Sequence, residues 1–129
     1  METGLAGVLE ELRKREPIFH ARAFGLTAAE RERAMDSAYW EVGASGRRYS
    51  RKFIQRTLAE QPPAEAETAN WRYSDFGLRR LGSETYLLTY TLEQGPRLTR
   101  RATIWEKTAD GWRILYHQGT VVTGEDDSK

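Results

Sequence analysis

With no cysteine and only two histidines, His20 and His117, this sequence has no thiolate chemistry and few side chains that exchange a proton near neutrality. His117 stands in the run YHQGT, where a neutral imidazole facing a pocket could serve as general base or acid. The same ring could equally be a hydrogen-bonding group of the scaffold. Arg101 offers a planar fork suited to a carboxylate or phosphate, or a plain ion pair with one of the 19 acidic residues. Glu41, beside Gly43, could be a buried acid whose burial raises its pKa, or the partner of Arg47 or Arg48. Glu16 and His20 flank Pro17 and could form a dyad at a pocket mouth; the blander account is a solvated helix terminus. Tyr90 and Trp105 could wall a pocket or simply fill a core.

Other chemistries find little support. Ser45, in Gly43-Ala44-Ser45-Gly46-Arg47, lacks the second glycine of a nucleophile elbow and reads as a turn residue. The two histidines form no H-x-H or H-E-x-x-H pattern, so no metal site is expected. There is no glycine-rich phosphate loop. A net charge of +1 gives no basic excess for nucleic acid, and the cluster Arg47, Arg48, Arg51 and Lys52 reads as a solvated face.

The elements that must position these groups follow from spacing. Leu5, Val8, Leu9 and Leu12 recur as on one helix face, giving a helix from about Leu5 to Arg15 that Pro17 ends. Thr27-Ala28-Ala29-Glu30 has the form of a capping box and opens a short helix to about Ser37. Tyr39–Val42 reads as a strand, and Ser50 can cap a helix with Phe53, Ile54, Thr57 and Leu58 on its apolar face. Stretches near 70–76, 83–92, 97–107 and 112–122 read as consecutive antiparallel strands joined by hairpins. The order gives an α+β domain over 1–123, followed by a disordered acidic tail at 124–129. At 129 residues one domain is expected. The acidic start METGLAG and the lack of any ~20-residue apolar stretch suggest a cytoplasmic, non-membrane protein.

Strand alternation puts Arg101, Thr103, Trp105, Leu115 and His117 on one concave face as candidate ligand contacts. Ala102, Ile104, Ile114, Tyr116 and Gln118 then face outward as an apolar patch, from which a homodimer is expected.

The segments EVGASGRRYSR from Glu41 and RRATIWEKTADGWRILYHQGT from Arg100 resemble bacterial nuclear-transport-factor-2-like proteins. The resemblance is to the SnoaL-like group with a domain of unknown function and a terminal HQGT-type strand, and it runs from REPIFH to the last hairpin. It implies a cone: a curved antiparallel sheet wrapped around N-terminal helices, with a pocket at the open end, commonly in a homodimer. Relatives of that fold include isomerases, cyclases, dehydratases and hub domains, so the fold does not choose among functions.

Three readings therefore stand. The first is a binding module holding a small, partly apolar ligand between Tyr90 and Trp105, anchored by His117 and Arg101. The alternative is a cofactor-independent isomerase, cyclase or lyase with His117 or Glu41 as general acid/base. A third is a dimeric interaction or immunity-type protein with a filled cone.

Overall fold

The computed structural model describes residues 2–16, 28–60 and 71–127. Helix α1 (Glu2–Arg15) carries Leu5, Val8, Leu9 and Leu12 down one side, and this stripe packs on the sheet with Leu12 fully buried. The Trp112 indole N–H donates to Glu11 Oε1 at 2.6 Å, tying the helix to the last strand. That bond, acting with the charges of Lys107, Arg15 and Lys14, holds the Glu11 carboxyl below its ordinary pKa.

Helix α2 (Ala28–Arg33) is shorter than its local spacing suggests. Met35–Ser37, expected as its last turn, already belong to strand β1 (Met35–Val42). The Ile114 backbone N–H donates to the Ala34 carbonyl at 2.7 Å, so a partner distant in sequence draws the chain out of helix. Thr27, the expected cap, lies outside the described residues. Strand β2 (Arg48–Ser50) leads into α3 (Arg51–Glu60), where the Ser50 hydroxyl accepts from the Phe53 N–H at 3.1 Å, as its capping role requires. Phe53 does not join the core; it stays largely exposed, stacked on Tyr49 at 5.0 Å.

The basic cluster is not a uniformly solvated face. Arg51 donates to the carbonyls of Asp36 at 2.9 Å and Glu32 at 3.1 Å and to Gln55 Oε1 at 3.1 Å, clamping the α2–β1 junction to α3. Arg48 lies over the Trp40 ring at 4.8 Å and Arg47 over Tyr49 at 5.5 Å.

Strands β3 (Arg72–Arg80), β4 (Thr85–Gln94), β5 (Arg97–Thr108) and β6 (Gly111–Val121) form the expected antiparallel meander. Gly95 (φ 66°) and Gly111 (φ 119°) supply the left-handed turns of its last two hairpins. The six-stranded order is β2-β1-β6-β5-β4-β3, and β1 runs parallel to β6, so the sheet is mixed rather than wholly antiparallel. The result is an α+β architecture with N-terminal helices against one face of a curved sheet. Among the described residues no helix is long and apolar enough to cross a membrane.

A bulge in β6 overturns part of the expected alternation. Across β5–β6, Thr103 pairs with His117 and Ile104 with Tyr116, but Trp105 pairs with Ile114. Leu115 is the extra residue, without a cross-strand partner in this register. Ile114, expected on the outer patch, therefore joins Trp105 in the core and is fully buried, while Tyr116 stays outside against Trp40, ring centroids 4.8 Å apart. Leu115 is half-buried at the bulge rather than in line with His117.

Candidate functional site

The helix stripe Leu5, Leu9, Leu12 continues at i+4 to Glu16, so the residue just past α1 enters the sheet's inner face. Glu16 is fully buried there, not a solvated helix terminus. Tyr90 on β4 donates its hydroxyl to Glu16 Oε2 at 2.6 Å, Thr103 on β5 donates to the same oxygen at 2.7 Å, and the Trp105 indole N–H donates to Oε1 at 3.0 Å. The two residues expected as apolar walls thus direct their polar ends to one carboxylate. Alternation along β4 and β5 is what brings these donors to one face: Tyr90 pairs with Arg101 and Leu88 with Thr103.

His117 lies beside this carboxylate, with Nδ1 2.7 Å from Thr103 Oγ1 and 3.5 Å from Glu16 Oε2. Its Nε2 is 3.4 Å from Arg101 Nη1. Donor accounting over the described partners assigns the protons. A carboxylate only accepts and a guanidinium only donates, and the Thr103 hydroxyl has a single proton to give. Thr103 gives it to Glu16, so its oxygen accepts from Nδ1–H of His117; Nε2 then carries the lone pair and accepts from Arg101. Arg101 is fixed at its base by Nε donating to Thr99 Oγ1 at 2.9 Å.

Glu41 pairs in register with His117 across the parallel β1–β6 ladder and so projects to the same face. Its described partner is the hydroxyl of Tyr39, which donates to Oε1 in a short bond, rather than Arg47 or Arg48. Of the residues singled out from sequence, Glu16, Glu41, Tyr90, Arg101, Thr103, Trp105 and His117 share this interior. Leu115 sits apart at the bulge, and His20 lies outside the described residues. Tyr39, Thr99 and Gly119 were not singled out. Tyr39 was legible as the i−2 neighbour of Glu41 on its strand, whereas nothing local marks the other two.

The site is electrostatically demanding. Burial first, and then the neighbouring carboxylates, push the phenols of Tyr39 and Tyr90 well above the ordinary tyrosine pKa, with Glu41 acting on Tyr39 and Glu16 on Tyr90; Tyr73 is raised for the same reasons. An unfolded phenol titrates near pH ~10. Because the folded values are higher, the stability these neutral phenols contribute is complete below pH ~10 and falls as pH rises beyond it. Ultraviolet titration should find Tyr39, Tyr73 and Tyr90 silent past pH ~10 in the folded protein and ionising with alkaline unfolding. Normal titration of these three phenols without unfolding would contradict this burial.

No family model and no curated protein matches the chain. Solved structures do match over nearly its whole length. A protein of unknown function of the DUF3225 family from Pectobacterium atrosepticum aligns at 16% identity and a TM-score of 0.71, covering 95% of this chain and 94% of its own. An NTF2-like protein from Cytophaga hutchinsonii aligns at 10% identity and TM-score 0.66, covering 91% and 97%. The CamKII hub homology domain of Chlamydomonas reinhardtii gives 14% identity and TM-score 0.65, with 93% and 99% covered. At these identities the likeness is one of fold: the cone-shaped NTF2-like architecture.

Proposed function

We propose that this protein is a cofactor-independent acid–base enzyme of the isomerase, cyclase or lyase type, with His117 as its base. The observation that carries the reading is the one-way hydrogen-bond chain from Arg101 through His117 and Thr103 to buried Glu16, which leaves the lone pair on Nε2. A core needs no such chain for packing, and burying a carboxylate is costly unless it is fully satisfied. In the reaction, Arg101 turns its N–H from Nε2 to the substrate carbonyl, and the freed Nε2 lone pair takes a proton from the carbon next to that carbonyl. The C–H pair becomes a carbon–carbon π bond and the carbonyl π pair moves onto its oxygen. The Arg101 guanidinium places positive charge beside that developing oxyanion. His117 then returns the proton to a second carbon or to a leaving group, while Nδ1–H stays oriented by Thr103 and Glu16. Glu41 with Tyr39 is a second proton-carrying pair on the same face.

The test is proton–deuterium exchange at carbon, followed by NMR in D2O over a panel of small ketones and 2-oxo acids. Exchange with the wild-type protein, reduced about 10²–10⁴-fold in His117→Gln, supports the reading. No exchange with any of the panel, alongside saturable binding of one of them, would leave a small-molecule-binding cone instead.

The same proposal includes a homodimer formed through the outer sheet face, where Trp40 is 39% exposed beside Tyr116. Light scattering that finds a monomer at micromolar concentration would refute the dimer.

A further inference from the structure

Arg101 holds a half-buried guanidinium, yet no carboxylate among the described residues forms an ion pair with it. Two of its N–H donors are engaged, at Thr99 Oγ1 and His117 Nε2, and the remainder meet no acceptor among the described residues. Burial lowers the guanidinium's proton affinity from its ordinary value, and the charges of Glu41 and Glu16, neither within ion-pair distance, offset only part of that. An arginine this enclosed normally has an anionic partner.

Its pose is built rather than accidental. Arg101 pairs in register with Gly119 across β5–β6, and the side chain lies over that glycine. A Cβ at position 119 would stand 2.8 Å from Nη1, 3.0 Å from Cζ and 3.1 Å from Cδ of Arg101. Those distances are too short to tolerate without moving the guanidinium. Gly119 has no need of left-handed backbone, so close approach is the physical reason for a glycine here. The YHQGT run thereby acquires a joint meaning: His117 supplies the basic nitrogen, and Gly119, two residues on and on the same face, supplies the seat for the arginine.

We infer that Arg101, seated on Gly119 and aimed by Thr99, is the recognition element for a carboxylate group on the ligand, bound beside His117 Nε2. A planar carboxylate matches the guanidinium fork, and charge-assisted hydrogen bonds are stronger than neutral ones. This assigns Gly119 as a positioning residue that acts through Arg101. The inference rests on the reading of this interior as the ligand site and narrows its substrates to small organic acids.

The experiment measures binding of acetate, butyrate and benzoate, each against its primary amide, by two-dimensional NMR of the 129-residue protein. Carboxylates should bind and shift the His117 and Gly119 signals, with the amides at least ten-fold weaker. Arg101→Gln should weaken carboxylate binding about ten- to hundred-fold, and Arg101→Lys should recover it only in part. Gly119→Ala should reproduce the Arg101→Gln loss while circular dichroism and Tm show a folded protein. Should Arg101→Gln fail to fold, Gly119→Ala and Arg101→Lys carry the comparison. Equal affinity for acids and amides, unchanged affinity in Gly119→Ala, or no binding of any acid by the wild type would overturn the assignment. Carboxylate binding through Arg101 without carbon–deuterium exchange would sink the acid–base reading alone, and exchange on neutral ketones without carboxylate binding would sink only this one.

Discussion

Replacing Glu16 by leucine will lower Tm by about 10–25 °C, although leucine is the better residue for an apolar core. Three donors end on this carboxylate, from Tyr90, Thr103 and Trp105, and leucine offers none of them an acceptor. Each buried donor left unpaired costs about 1–3 kcal/mol, a large share of a total stability of about 5–15 kcal/mol. For a domain of this size each lost kcal/mol lowers Tm by about 4 °C. Glu16→Gln separates scaffold from chemistry. It keeps the shape and one acceptor oxygen, so it should unfold less readily than the leucine variant. Its amide, however, can donate to Thr103, which then no longer has to accept from Nδ1–H. Nitrogen-15 NMR should therefore find His117 protonated on Nδ1 in the wild type and changed in Glu16→Gln. A wild-type ring carrying its proton on Nε2 would contradict the direction of the whole chain. A leucine variant as stable as wild type would mean that Glu16 is not the buried hub.

Ile114→Glu will abolish folding, whereas Tyr116→Arg, two residues away, will leave a folded domain. Strict alternation puts both residues on the outer face, where a charge would do no more than split a dimer. The β6 bulge reverses that for Ile114 alone, pairing it with Trp105 in the core at zero exposure. The substitution forfeits about 1.5–3 kcal/mol of side-chain burial and strands a carboxylate among apolar groups at a further cost of several kcal/mol. Together these approach the stability of the domain. Tyr116 is half-buried, packs edge-to-face on Trp40 and donates to Gln118 at 2.5 Å, so its loss is a surface event. Thermal unfolding by circular dichroism decides the matter. A folded Ile114→Glu protein with near-wild-type Tm would restore the unbulged register and place Ile114 on the outside.

Both expectations turn on what the sequence could and could not specify. The elements themselves are written locally. The Leu5–Leu12 stripe makes α1, Ser50 caps α3, and turn chemistry at Gly95 and Gly111 joins strands whose β-branched and aromatic residues already favour extension. Because side chains alternate along a strand, Arg101, Thr103 and Trp105 share a face from sequence alone, and the structure keeps them there. The end of α2 at Arg33 and the parallel pairing of β1 with β6 were not legible, since each depends on a strand far away along the chain, and the bulge at Leu115 breaks the β5–β6 alternation at a residue whose type does not mark it.

The site divides along the same line. Sequence supplies the candidate chemistry of His117, Arg101, Glu41 and Glu16, because residue type fixes which groups can move protons or hold charge. It also contains the i+4 step from Leu12 that carries Glu16 inward, although hydrophobic patterning alone assigns a charged residue to water. Only the tertiary structure sets Thr103 between Glu16 and His117 and Gly119 beneath Arg101. A hydrogen bond's direction and a glycine's clearance are properties of atoms brought together across strands, and the residue string contains no term for the distance between them.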